Sequence, residues 1–220
     1  MKRLPLPGLN GLTPNTIFCI GRNYEAHARE LNNPVPKRPV IFTKPITSLC
    51  FDESIIPLPA DFGEIHYETE IVVAIGKAGR NIPVSVAEEY IAGYAIGIDF
   101  TARDLQSELK QKSHPWEIAK GLDNFAPVSS FVEKNQISDP NQIGLRLLIN
   151  GEEKQHGNST DMIFPIVELI SHLSRYFTLN PGDLVFTGTP EGVGPVKSGD
   201  KMTAILGDHI TSLNVTSQAE

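Results

Sequence analysis

A chain of 220 residues with 18 glycines, 17 prolines and 40% hydrophobic residues is long enough to bury roughly 70% of its unfolded surface around one core. A formal charge of −7, a sequence pI near 5.4 and scattered basic residues leave no electrostatic footprint for nucleic acid or an anionic membrane. No apolar run approaches the ~20 residues of a membrane span, and Pro5, Pro7, Gly8 and Gly11 interrupt the start before a signal-peptide core develops, so a cytoplasmic protein is expected.

No linker, charge run or repeat divides the sequence, which is read as a single domain over 1–220 with an N-terminal extension over 1–14. The first strand is expected over 16–20 and a helix over 24–31. His27 and Glu30 lie three apart and share a face of that helix. The carboxylate can then orient the imidazole and raise its basicity, as a general base that deprotonates water requires. An ordinary solvated helix face has the same spacing. A strand over 40–43 leads into Lys44, a polar site candidate or half of a structural ion pair.

The next strand, expected over 67–75, begins in His66-Tyr67-Glu68-Thr69-Glu70 and continues as an apolar, β-branched run. Alternation sends Glu68 and Glu70 to one face, about 7 Å apart along the backbone. Two buried like charges need a cation or a basic cluster between them. Asp99 stands where a buried strand over 94–99 emerges. Three oxygen ligands suit Mg²⁺, Mn²⁺ or Ca²⁺ rather than zinc. No CxxC, HExxH or EF-hand spacing occurs. The other reading puts Glu68 and Glu70 on the wet face of an edge strand, with Asp99 capping a turn. His66 faces the same way as Glu68, either supporting a ligand or packed, and stays outside the catalytic set.

Further along, a helix is expected over 84–89 after Pro83. A strand over 145–149 runs into an Asn150-Gly151 hairpin turn. A helix over 162–176 is expected to be capped by Thr160 or Asp161, with Pro165 in its first turn. Strands over 184–187 and 202–206 follow. Residues 188–194 are rich in glycine without the GK[ST] of a phosphate loop and read as a tight turn. Cys19 and Cys50, both in apolar surroundings, are expected as buried free thiols. These elements amount to a strand-rich α+β domain.

Taken in order, IFCIGRNYEAHARELN (17–32), PVIFTKPITSL (39–49), HYETEIVVAIG (66–76), IDFTARDLQ (98–106), WEIAKGLDNFAPV (116–128) and LVFTGTPEGVGPV (184–196) resemble the fumarylacetoacetate hydrolase family over about residues 15–215. The likeness is to its short single-domain acylpyruvate hydrolase and oxaloacetate decarboxylase members. It implies a mixed β-sandwich rolled around a metal site, with short outer helices, a mobile N-terminal lid over 22–36 and a homodimeric assembly. The family's metal ligands fall on Glu68, Glu70 and Asp99, implying Mg²⁺ with Mn²⁺ as a substitute. Its lid dyad falls on His27 and Glu30, its active-site lysine on Lys120, and a substrate-carboxylate contact on Thr189. Arg103 and Gln106, one turn past Asp99, are placed to hydrogen-bond the far end of a substrate.

Three carboxylates and one Mg²⁺ sum to −1, so Lys120 is needed to hold an anionic 2-oxo acid beside the ion. The implied reaction is C–C hydrolysis of acylpyruvates. Water activated by His27 and Glu30 attacks the distal carbonyl and releases pyruvate as its enolate, and oxaloacetate decarboxylation reaches the same enolate. Tautomerases, isomerases or dehydratases of related oxo acids are the alternative on this fold. A noncatalytic Ca²⁺-holding β domain is the alternative of another class, but it has no use for a His/Glu pair beside a lysine.

Overall fold

Prolines and glycines keep the elements short, and the computed structural model of the chain, described for residues 5–220, contains sixteen strands and four α-helices among those residues. The strands run β1 (Ile17–Gly21), β2 (Val40–Lys44), β3 (Leu49–Phe51), β4 (Ile55–Leu58), β5 (Ile65–Tyr67), β6 (Thr69–Ile75), β7 (Ile91–Ile98) and β8 (Thr101–Ala102). They continue as β9 (Ala126–Val128), β10 (Val132–Glu133), β11 (Gly144–Ile149), β12 (Glu152–Asn158), β13 (Leu184–Phe186), β14 (Gly194–Pro195), β15 (Lys201–Leu206) and β16 (Thr211–Ala219). The helices are α1 (Glu25–Glu30), α2 (Arg103–Gln111), α3 (Glu117–Lys120) and α4 (Ile166–Tyr176).

A mixed eight-stranded sheet in the order β2-β1-β13-β6-β7-β9-β3, with β10 also on β7, forms the centre. A five-stranded sheet, β12-β11-β15-β16-β4, and a three-stranded one, β14-β5-β8, complete the roll. Every residue of β6 is buried, which is why its sequence reads as continuously apolar after Glu70. Alternation divides the core between the two faces of the central sheet. Ile71, Val73 and Ile75 join the larger cluster with β11, β15, β16 and α4, whereas Val72 and Ala74 join a smaller one with Cys19, Phe131, Leu6 and Leu9. Glu70 shares the parity of Val72, and Lys44 that of Phe42, which also packs on the smaller cluster. The polar site therefore lies on the side of the smaller cluster.

The Asn150-Gly151 hairpin between β11 and β12 is present, with both residues in the left-handed region (φ 53° and 84°). The other expectations need correction at particular points. The strand expected over 67–75 breaks at Glu68: Tyr67 ends β5 in the small sheet and Thr69 begins β6 in the large one. The segment after Pro83 is a 3₁₀ helix, Val84–Tyr90. The helix expected over 162–176 starts at Ile166, because Pro165 disfavours the helical region for the preceding residue and is itself extended (ψ 154°). Neither Thr160 nor Asp161 caps it. They lie in a separate 3₁₀ turn whose cap is Asn158, accepting from the Thr160 N–H. Helices α2 and α3 have no counterpart among the expected elements, since the polar run of α2 buries only Gln106 and Leu109.

Candidate active site

The break at Glu68 builds the site. Where the chain passes from one sheet to the next, the Glu68 carbonyl accepts from the Asp99 N–H at 2.8 Å. That bond ties the entry of β6 to the exit of its neighbour β7, and one oxygen each from Glu68, Glu70 and Asp99 falls within 4.8 Å of the others. All three side chains are buried. Gly188 clamps Glu70: its N–H donates to Glu70 Oε2 at 2.7 Å. It has φ +100°, and a Cβ there would lie 2.7 Å from the Asn23 Cβ, so both backbone and space demand glycine.

Three cations surround these carboxylates. Lys120 Nζ, at the end of α3, donates to Glu68 Oε2 at 2.8 Å and to Asp99 Oδ2 at 2.6 Å. Arg103, at the start of α2, donates from one terminal nitrogen to Glu68 Oε1 and from the other to Gln106 Oε1. Lys44 donates to the carbonyl oxygens of Phe100, Phe125 and Lys120, which uses all three of its protons. Its 2.7 Å approach to Asp99 Oδ1 is an ion pair without a hydrogen bond. Lys44 is thus a structural strut as well as a counter-charge. The charge count differs from the sequence expectation, since Lys44 and Arg103 join Lys120 and three cations face three carboxylates.

These neighbours separate the carboxylates chemically. Burial alone would raise Glu68, but Lys120 and then Arg103 outweigh it and hold the carboxyl well below the usual range. Glu70 is pushed well above that range by burial and by the charges of Asp99 and Glu68. Burial works against the Lys120 ammonium, yet Asp99 and Glu68 outweigh it and raise its pKa. The residues present fit a hard divalent cation: the donors are all carboxylate oxygens, Glu70 is raised by burial and by two like charges that Lys120 only partly offsets, and Asp99 Oδ1 is a buried anionic oxygen without a hydrogen bond.

Above Glu68, α1 closes a cavity of about 40 Å³ lined by Gly21, Arg22, His27, Leu31, Asn33, Phe42, Glu68, Arg103, Gln106, Lys110, Trp116 and Lys120. His27 is 4% exposed, and its Nδ1 stands 3.5 Å from Glu30 Oε2. Burial lowers its pKa against the pull of Glu68 and Glu30, so the imidazole is neutral at pH 7. Glu30 also accepts from the Gly192 N–H at 3.1 Å, fastening the helix to the 188–194 loop. Thr189 is buried but is not among the cavity's lining residues. Its Oγ1 accepts from Gln155 Nε2 at 2.9 Å. His66 pairs with Glu64 at 3.1 Å, and Cys19 and Cys50 are free and buried.

Two positioning residues carry no sequence signal. Asn23 donates to the carbonyls of Thr187 and Phe164 and accepts from the Phe164 N–H, fixing the root of α1. Gln155, 1% exposed, accepts from the Thr69 N–H at 2.9 Å and donates to Thr189 Oγ1 and the Pro190 carbonyl, so it joins β6 to the 188–194 loop. It lies in EEKQHGN, where every neighbour is polar or glycine. Gln155→Ala is expected to cost about 1–3 kcal/mol in denaturant unfolding, because it strands the buried Thr69 N–H.

A rolled, strand-rich fold that carries a buried triple-carboxylate site under a helix-borne His/Glu pair is a recognisable class of architecture. The chain belongs to the fumarylacetoacetate hydrolase family: the family description fumarylacetoacetate (FAA) hydrolase C-terminal matches residues 16–216. It is 48% identical over 188 residues, 86% of this chain and 84% of the relative, to the mitochondrial oxaloacetate tautomerase FAHD1 of Arabidopsis thaliana. It is 42% identical over 200 residues, 90% and 91% of the two chains, to the oxaloacetate tautomerase YcgM of Escherichia coli strain K12. Among solved structures it is similar to fumarylpyruvate hydrolase from Pseudomonas aeruginosa in complex with Mn²⁺ and pyruvate, with TM-score 0.91 and 38% identity over 100% of this chain and 99% of that one. No helix among the described residues is long and apolar enough to cross a membrane.

Proposed function

We propose that this protein interconverts the enol and keto forms of a 2-oxo acid, with oxaloacetate as the first candidate, and that Glu68, Glu70 and Asp99 hold Mg²⁺, replaceable by Mn²⁺. The observation that carries this reading is the convergence of three buried carboxylates within 4.8 Å, beside a protonated lysine and below a neutral histidine. The two tautomerase relatives support the choice of substrate. When bound, the cation polarises the carboxylate and 2-oxo oxygens of the substrate and lowers the cost of negative charge on the 2-oxygen.

The chain's own groups move the proton. Neutral His27 takes the proton from the enol oxygen and delivers it to C3, and in the reverse direction takes it from C3 and delivers it to the 2-oxygen, while Glu30 steadies the imidazolium that forms in between. Lys120 keeps its proton and offsets charge at the 2-oxygen. In the enol-to-keto direction one proton leaves the enol oxygen and one is added at C3, with no carbon–carbon bond broken. The Arg103 fork on Glu68 and Gln106 holds that carboxylate in place. Residues 22–36 act as a lid in this reading: α1 is bracketed by Arg22 and Asn32, both in the left-handed region (φ 59° and 52°), and the cavity beneath it holds little more than a water or two, so α1 must shift to admit an oxo acid. Thr189 as a substrate-carboxylate contact, a homodimeric assembly and a cytoplasmic location belong to the same reading.

The His27–Glu30 pair and the likeness to fumarylpyruvate hydrolase favour a second reaction at the same site, hydrolysis of acylpyruvates. Water that has given its proton to His27 adds to the distal carbonyl. The bond to C3 then breaks and its electron pair stays on the three-carbon fragment, yielding a carboxylate and the enolate of pyruvate. Oxaloacetate decarboxylation reaches that enolate by loss of CO₂. Ultraviolet decay of enol-oxaloacetate, run beside pyruvate release from acetylpyruvate, tests the order of the two readings. Acceleration of the enol decay by the Mg²⁺-loaded protein, abolished by a chelator, is the expected result. Pyruvate release without such acceleration makes the protein a hydrolase instead.

His27→Ala is expected to lose ~10²-fold or more in kcat in either assay, while oxalate binding survives. In the parent protein kcat/KM falls as the pH drops through the lowered His27 pKa, because protonation removes the base. That acid limb lies below 6.5, the ordinary value for histidine, and is absent in the alanine variant. Loss of oxalate binding along with activity would make His27 a binding residue.

A further inference from the structure

Of the cations around the carboxylates, Lys44 has no part in the proposed reaction. It ends β2, its side chain is fully buried, and its Nζ donates to the carbonyls of Phe100 at 3.1 Å, of Phe125 at 2.9 Å and of Lys120. These acceptors come from three segments: the residue after Asp99, the residue before β9 and the end of α3. A neutral amine has two N–H groups, so three acceptors demand the charged ammonium. Close approach of the chain makes the reach possible. Pro45, the next residue, packs so near Gly121, the residue after Lys120, that a Cβ on Gly121 would lie 2.6 Å from the Pro45 Cδ.

With its protons given to carbonyls, the ammonium faces Asp99 Oδ1 at 2.7 Å without a hydrogen bond. Asp99 Oδ2 accepts from Lys120 instead. Lys44 therefore neutralises Asp99 without bonding the oxygen that stays open to a cation. A buried ammonium is costly to desolvate, and an apolar side chain of similar volume would fill the same space at less cost if packing were its only task. A fixed positive charge beside a metal ligand has two opposite effects: it repels a cation on that ligand and attracts an anion bound to the cation. On the reading of the triad as the cation site for a 2-oxo acid, we propose that Lys44 is a positioning residue that also sets the charge of the site. It aims the Asp99 carboxylate and the end of α3 that carries Lys120, weakens the hold on the divalent cation and strengthens the hold on the anionic oxo acid. With Lys44 three cations face three carboxylates, so both charges of a bound divalent ion are left for the substrate. Without it one of them offsets a surplus carboxylate.

Calorimetry on the parent protein, Lys44→Met and Lys44→Gln measures the affinity for Mg²⁺ and then, at saturating Mg²⁺, the affinity for oxalate. Lys44→Met removes the charge and keeps the stem, whereas Lys44→Gln removes the charge and keeps two N–H donors for the carbonyls. Both are expected to bind Mg²⁺ ~3-fold or more tightly than the parent and oxalate ~10-fold or more weakly. Lys44→Arg keeps the charge and should hold the ratio of the two affinities within about three-fold of the parent value. In turnover the neutral variants should lose ~10-fold or more in kcat, since Lys120 loses its aim. Lysine ¹⁵N NMR of the parent protein reads the same proposal if neither neutral variant folds, with the Lys44 signal assigned by its absence from the Lys44→Arg spectrum. The expected signal is a slowly exchanging, charged ammonium that shifts when Mg²⁺ enters and shifts again when oxalate follows.

Mg²⁺ and oxalate affinities that fall together in the neutral variants mark a strut alone and overturn the proposal, as do affinities that stay at the parent values or move for one ligand only. So does a Lys44→Arg protein whose ratio moves as far as that of Lys44→Met, or a Lys44 signal that is a neutral amine or is unmoved by Mg²⁺. A parent protein that binds no Mg²⁺ removes the reading of the triad and this inference with it. Mg²⁺ binding by the parent without opposed shifts in the variants removes this inference alone.

Discussion

Glu70→Gln is expected to leave the metal-free protein folded at least as stably as the parent, while turnover falls by ~10³-fold or more. Burial and the charges of Asp99 and Glu68 hold the Glu70 carboxyl well above its ordinary pKa. A carboxyl whose folded pKa lies above its unfolded value opposes folding at any pH above the unfolded one, and this cost grows until the folded pKa is passed. A neutral amide removes that cost at pH 7 and can still accept from the Gly188 N–H. The parent protein should gain melting temperature when Mg²⁺ is added, by mass action on the folded state. The glutamine variant should gain little, since it offers the ion one carboxylate fewer. A clear gain in the parent and little in the variant, from a metal-free melting temperature at least as high in the variant, separates loss of a ligand from loss of the fold. Full turnover by Glu70→Gln, or by a chelated parent protein, would sink the assignment of the triad.

Lys120→Met should lower kcat by ~10²–10³-fold, the scale of removing a charged group aimed at developing negative charge, and should also raise KM. The methionine keeps the length of the side chain and removes the cation that bonds Glu68 and Asp99. Removing one member of a buried charge pair costs about 3–5 kcal/mol where nothing else compensates. Here Arg103 still holds Glu68 and Lys44 still faces Asp99, so the lower end is expected in chemical unfolding. Both enol–keto exchange and acylpyruvate cleavage should suffer, because both place negative charge on the 2-oxygen. A variant that cleaves acetylpyruvate normally and fails only with oxaloacetate would show that Lys120 recognises the second carboxylate.

The features legible before any folding are those whose cost is local. Two carboxylates spaced i, i+2 at the head of a β-branched run are expensive to bury without a cation, and a third at the end of another buried run compounds the cost. Glu68, Glu70 and Asp99 stood out for that reason, with a wet edge strand as the other reading, and helical spacing put His27 and Glu30 on one face, with a solvated face as the other reading; the resemblance to the family chose between the readings. The rolled topology came from the order of six matched stretches, since hydrophobic periodicity alone supports a strand-rich α+β domain without saying which strands pair. What binds across the chain was set by contacts that form on folding. Folding broke the expected strand at Glu68, because the chain there changes sheets, a choice set by partners at Asp99 and Gly194 rather than by its own residues. It committed Arg103 to Glu68, 35 residues away, and made Lys44 a strut for carbonyls 56 to 81 residues further on. It also set Asn23 and Gln155 as clamps. A polar side chain whose partners are distant backbone groups has no spacing to read, because its stabilisation exists only once both ends of the contact have been folded out of water.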